Sequence, residues 1–109
     1  MTPERFAELW NETLADITKL ASTKGGEYAP GRDRLANFKE NAVSLGLTPE
    51  AVWAVYCGKH WDSIRTYVRD INEGKDRERS EPIEGRFKDM IVYCLLGLGL
   101  VEDRQNGNR

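Results

Sequence analysis

Cysteine, proline and histidine are scarce in this 109-residue chain, neither sign of charge dominates, and no apolar run is long. The two cysteines, Cys57 and Cys94, have no Cys-x-x-Cys or Cys/His spacing. That argues against a disulfide framework or a zinc site and predicts two reduced thiols. Against 16 basic residues stand 18 acidic ones, so the formal net charge is -2, and no global field attracts a nucleic-acid backbone or an anionic membrane. The uncharged stretch MIVYCLLGLGLV at 90–101 is well short of the roughly 20 residues that a membrane span needs. The N-terminal MTPERFAELW has no basic n-region. Export, membrane insertion and general nucleic-acid binding are therefore not expected, and the cytoplasm is the expected location. Any anion site has to be local.

Three of the four prolines stand where a helix can start. Phe6, Leu9, Trp10, Thr13, Leu14, Ile17, Leu20 and Ala21 keep the spacing of an amphipathic helix, and Thr2-Pro3 supplies its cap and first residue. This predicts a helix over about 3–22. Asp33 is placed to cap a short second helix with inner face Leu35, Phe38, Ala42 and Leu45, which Gly46 stops. Thr48-Pro49-Glu50 opens a third, running to about Asn72 with Gly74 just beyond. The charged stretch GKDRERSE reads as a solvated loop. Ser80 and Pro82 start a fourth helix that ends near 102. The expected fold is all-α, a compact bundle of about four helices, with one domain over 1–102 and a disordered polar tail over 103–109. The expected core joins Trp10, Leu14 and Ile17 to Phe38, to Trp53, Ile64 and Val68, and to Met90, Cys94 and Leu98. The last helix is apolar on all sides from Met90 onwards, which places it centrally and predicts that one flank packs on another copy.

Helical angles then sort the polar residues. Glu4, Glu8, Glu12 and Asp16 form a stripe opposite the apolar face of the first helix and read as solvated rather than metal-binding. On the third helix His60, the only histidine, falls inside the apolar arc with Lys59 at its edge. A lone inward histidine is more often a hydrogen-bonded core residue than a ligand or base, and it needs a partner. Asp89 is either that partner or the last solvated residue before the last helix turns inward. With Arg86 and Tyr93 it makes a polar stripe that Gly97 continues, a place where a backbone or ligand can come close.

The segment KGGEYAPGRDRLANFK, residues 24–39, is longer than a helical connection requires. Lys24, Arg32, Arg34 and Lys39 offer local positive charge for a phosphate, Gly25-Gly26 offers backbone N–H groups, and Tyr28 or Phe38 offers a ring for stacking. No Gly-Lys-Ser/Thr follows the glycines, so this is not a Walker loop. A purely structural loop with its cations in water is the other reading.

As an ordered set, this segment, GLTPEAVWAVYCGKHWDSI and FKDMIVYCLLGLGL resemble a family of small phage-encoded all-α proteins, over residues 17–101. That family is distantly similar to MazG-like nucleoside triphosphate pyrophosphohydrolases, which hold magnesium in Glu-x-x-Glu and Glu-x-x-Asp boxes and assemble as dimers or tetramers. The resemblance implies site positions Lys24, Glu27, Tyr28, Asn37, Phe38, Lys59, His60, Asp89 and Tyr93, and a bacterial host cytoplasm. The boxes themselves are missing, since Arg86-Phe87-Lys88-Asp89 carries a cation where the first carboxylate belongs. The expected ligand set is Lys24, Glu27, Tyr28, Arg32, Arg34, Asn37, Lys59, His60, Asp89 and Tyr93, with no metal ligand and no assigned catalytic residue. Its expected ligand is a nucleotide or modified nucleotide, and Mg2+ enters only if the chain hydrolyses it. Two other readings stand beside this one: a module that grips a host enzyme through its tryptophans and tyrosines, or a decoy that sequesters a nucleotide immune signal.

Overall fold

The helix ends lie close to where the capping residues put them. Thr2 Oγ1 accepts a hydrogen bond from the Arg5 N–H at 3.0 Å, and Thr48 Oγ1 accepts one from the Ala51 N–H at 3.1 Å, each satisfying a donor of a first turn. At the far ends Gly46 and Gly74 adopt φ of 68° and 65°. There the Leu47 N–H reaches back to the Ala42 carbonyl and the Lys75 N–H to that of Asp70, both at 2.9 Å. The computed structural model describes residues 1–28 and 33–107, except the side chains of 23–28. It forms four helices, α1 (Pro3–Tyr28), α2 (Ala36–Leu45), α3 (Pro49–Asn72) and α4 (Ile83–Gln105), with no strand among the described residues. The all-α expectation holds.

Two boundaries differ from expectation. α1 continues through Lys24, Gly25, Gly26, Glu27 and Tyr28, so the presumed loop is partly helix. Each interior glycine costs about 1 kcal/mol relative to alanine, which an already nucleated helix tolerates. α4 runs past 102 to Gln105, so the start of the expected tail is helical. Its last turn is tied down twice. Asp103 accepts from Lys39 Nζ at 2.7 Å, and the Arg104 guanidinium forks onto Glu50, its Nη2 donating to Oε1 at 2.7 Å. Two helix starts also differ: Pro82 is the N-cap of α4, and Leu35 rather than the expected Asp33 is that of α2, with no side chain capping either helix and the Asp33 carboxylate accepting instead from the Leu35 N–H at 2.8 Å.

α3 and α4 pack antiparallel, as the pairs Glu50–Arg104, Trp53–Tyr93 and His60–Asp89 show. α2 lies across α3, and α1 packs on α4 through its second half. The core sits where α2, α3 and α4 meet, built from Leu35, Phe38, Ala42, Val52 and Leu100, with Trp53, Tyr93 and Leu96 against it. Ile17 and Ile64 are also buried. Trp10, Leu14, Val68, Cys94 and Leu98 are not, contrary to expectation, and neither are Leu45, Trp61 and Ile71. Trp10 is 58% and Leu98 65% exposed. These side chains lie on apolar faces as periodicity predicts, but within one chain no element covers those faces. Cys57 and Cys94 are free thiols, and burial pushes the Cys57 thiol up. No helix among the described residues is long and apolar enough to cross a membrane.

The connection after α3, expected to be merely solvated, is clipped to it. Asp70 is only 3% exposed and accepts Arg77 Nε at 2.8 Å, Arg77 Nη2 at 3.2 Å and Arg79 Nη2 at 3.1 Å. The guanidinium of Arg79 also lies over the Tyr67 ring, 5.2 Å from its centroid. Hydrogen bonding from Arg77, followed by the charges of Arg77, Arg79 and Lys75, holds the Asp70 carboxyl below the usual carboxylate range.

Ile64→Ala is expected to cost about 2–5 kcal/mol, whereas Val43→Ala, at an 85% exposed position, changes stability by less than about 0.5 kcal/mol in urea titrations. The depressed Asp70 pKa fixes a pH sign: its contribution is complete above the ordinary value of 3.8 and is lost as pH falls through the lower folded value. Asp70→Asn should therefore lower Tm at neutral pH, and thermal melts should show the gap to wild type closing below pH 3.8.

Candidate functional site

Arg34, Asn37, Lys59, His60, Asp89 and Tyr93 line one cleft of about 520 Å³ between α2, α3 and α4. Six of the ten expected ligand residues therefore come together from three separate stretches of sequence. Lys24, Glu27 and Tyr28 belong to the last turns of α1, with side chains outside the described ones, and Arg32 lies outside the described residues. Ala21, from the same helix, is part of the cleft wall.

The floor is polar and buried. His60 and Asp89 are both among the buried residues, with His60 Nδ1 3.5 Å from Asp89 Oδ2. The antiparallel packing of α3 on α4 sets these two side chains opposite each other. The Tyr93 ring stands 4.9 Å from the imidazole, centroid to centroid, and meets the edge of Phe38 at 6.3 Å. Phe38 also contacts Tyr56 at 6.0 Å and is only 5% exposed, so it supports the two tyrosines instead of offering an open face to a base. The more accessible ring surfaces are those of Tyr56 and Tyr93.

The charges divide unequally among the cations. Arg34 Nη2 donates to the Ala21 carbonyl at 2.6 Å, and neither Arg34 nor Lys59 pairs with a carboxylate among the described residues. Arg86 Nη2 lies 3.3 Å from Glu81 Oε2 at the cleft edge. Lys39, by contrast, is bound by Asp103 and Asp33, whose hydrogen bonds raise its pKa and whose carboxylates offset its charge. Gly25-Gly26 lies within α1 and forms no turn there. Gly97 is a place of close approach, but the group that approaches is Trp53 of the same chain. A Cβ at 97 would stand 2.9 Å from Trp53 Cζ2. The indole N–H then donates to the Tyr93 carbonyl at 2.8 Å.

Asn41, Tyr56, Glu81 and Arg86 also line the cleft and were not among the expected ligands. Asn41 stands one turn after Asn37 and donates through Nδ2 to the Tyr56 hydroxyl at 3.2 Å. Both were accessible to helical spacing, as was Arg86 one turn before Asp89. A neighbouring cleft of about 240 Å³ shares Glu81 and Arg86 and holds Arg77 and Arg79, whose charge Asp70 already takes up.

Among the described residues no three His, Cys, Asp or Glu side chains converge as metal ligands. The cleft's carboxylates are Asp89, beside His60, and Glu81, beside Arg86. That donor set does not fit magnesium, which requires several free oxygen ligands in octahedral array. No protein-family model, curated protein or solved structure matches the chain.

Gly97→Ala tests how the floor is held. The added methyl displaces the Trp53 ring and breaks its bond to Tyr93, an overpacking cost of about 1–3 kcal/mol. The expected readout is a lower urea midpoint with a red-shifted tryptophan emission.

Proposed function

We propose that the chain binds a nucleotide or modified nucleotide in the cleft between α2, α3 and α4, and does not hydrolyse it. The observation that carries this reading is the pair of cations, Arg34 and Lys59, that have no carboxylate partner among the described residues. They line the same cleft as the rings of Tyr56 and Tyr93 and the amides of Asn37 and Asn41. Phosphate is bound by such cations, base and sugar edges by amides and by the Asp89 carboxylate, and a flat base by an aromatic face. A volume of about 520 Å³ lies within the usual range for small-molecule sites. Binding is preferred to hydrolysis because the carboxylates needed to carry magnesium are already engaged with His60 and Arg86.

The resemblance of the ordered motifs to the phage family supports the same site, although the metal boxes of the distantly similar MazG-like pyrophosphohydrolases are missing. It adds a phage origin, a host cytoplasm and assembly of two or more copies to the reading. A second reading has its own observation. Trp10, Trp61 and Phe87 are exposed, as aromatics at a protein interface are, which favours a module that docks on another protein.

Isothermal calorimetry across nucleotides, with and without magnesium, tests the choice. Lys59→Ala and Arg34→Ala are each expected to weaken binding about tenfold, equivalent to about 1.4 kcal/mol, with Tm nearly unchanged. Asp89→Ala should lower both affinity and Tm, because it removes the carboxylate beside the buried imidazole of His60. If wild type binds no nucleotide below about millimolar concentration, the nucleotide reading fails and the interaction module replaces it.

A further inference from the structure

The first half of α1 is a helix without a neighbour. Of residues 3–16 only Thr13 is even partly buried, and Phe6, Leu9, Trp10 and Leu14 are all exposed. A helix this short is marginal in water on propensity alone and takes most of its stability from packing its apolar face. Within the chain nothing packs there until Ile17.

α4 presents a matching stripe. Phe87, Ile91, Leu95 and Leu98 are exposed, and the first three follow the same steps of four residues as the exposed Phe6, Trp10 and Leu14. At the rise of an α-helix the exposed stripe of the arm is roughly 12 Å long and that of α4 roughly 17 Å. The shape of the chain agrees. Its radius of gyration is 16.3 Å, against about 13 Å for a compact chain of this length. Its accessible surface is 7856 Å², roughly 1,700 Å² above the value of about 6,100 Å² typical of a monomer of its mass. Burying that excess on two chains would cover roughly 3,400 Å², within the range of obligate homodimers. A lipid surface is a poor occupant, because the other side of the arm carries Glu4, Glu8, Glu12 and Asp16.

We propose that the α1 arm of one protomer lies along the Phe87–Leu98 stripe of a second copy, which returns the same contact about a two-fold axis. This rests on the assembly part of the proposed function and not on nucleotide binding. Such an exchange is self-complementary, since arm meets α4 and α4 meets arm. It covers both apolar stripes with a single symmetry operation.

Sedimentation equilibrium of the full chain without nucleotide, at tens of micromolar, is expected to give twice the 12.4 kDa chain mass. Trp10→Glu on the arm and Leu98→Glu on α4 should each raise the dimer Kd at least about tenfold and yield monomers. Mixing the two variants should restore a dimer, because one of its two arm contacts then joins two unaltered stripes. Far-UV circular dichroism reports whether each variant is folded, and Trp10→Ala with Leu98→Ala replaces any that is not. A monomeric wild type, variants that stay dimeric, or a mixture of folded variants that stays monomeric would each overturn the exchange. Because ligand is absent throughout, these outcomes are independent of calorimetry on the cleft.

Discussion

The contact between the Trp53 indole and the bare backbone at Gly97 sets the spacing of α3 and α4. With no Cβ at 97 the ring comes close enough for its N–H to reach the Tyr93 carbonyl at 2.8 Å. Two turns along α3 from Trp53 and two turns back along α4 from Gly97, the same spacing brings His60 to Asp89 and lets the Tyr93 ring face the imidazole. The cleft floor is thus a consequence of how two helices approach. α2 then closes the other wall, with Phe38 wedged between Tyr56 and Tyr93.

Ion pairs hold the edges of this arrangement where the apolar core does not extend. Lys39 joins α2 to the end of α4 through Asp103, Arg104 joins α4 to α3 through Glu50, and Lys88 joins α4 to α1 through Asp16 at 2.8 Å. All three are at least partly exposed, and such pairs contribute little individually. Their importance is in register, since each lies near the end or middle of a helix that few apolar contacts fix. Asp70 differs, because its carboxyl is buried and takes two guanidinium groups from the loop beyond it.

Much of this was legible in the chain. Thr2, Thr48, Gly46 and Gly74 mark helix ends by local chemistry, and local chemistry is what a sequence records directly. The proximity of His60 and Asp89 was half legible: His60 falls inside an apolar arc and needs a partner, but the sequence left Asp89 open between that role and a solvated one. The exposure of Trp10, Val68 and Leu98 was not legible, since periodicity identifies an apolar face but not whether the same chain supplies its cover. Asp70 was hidden for a different reason. Its partners lie in GKDRERSE, where charge density reads as solvation, and only the path of the loop reveals that two arginines turn back. Lys39 read as local positive charge for a phosphate, and its neighbour Asp103, far along the sequence, was not legible.

The antiparallel pair α3–α4 is joined by a connection that Asp70 fastens to the end of α3, and the contacts between these two helices that make the cleft floor, His60 with Asp89 and Trp53 with Tyr93, close loops of up to 40 residues. The entropy lost on closing a loop grows with its length, so contacts across the shorter loops form at less cost. α1 docks through Asp16 and Lys88, which lie 72 residues apart. Its docking closes a far longer loop, so the helix hairpin can form first and serve as the template on which α1 settles.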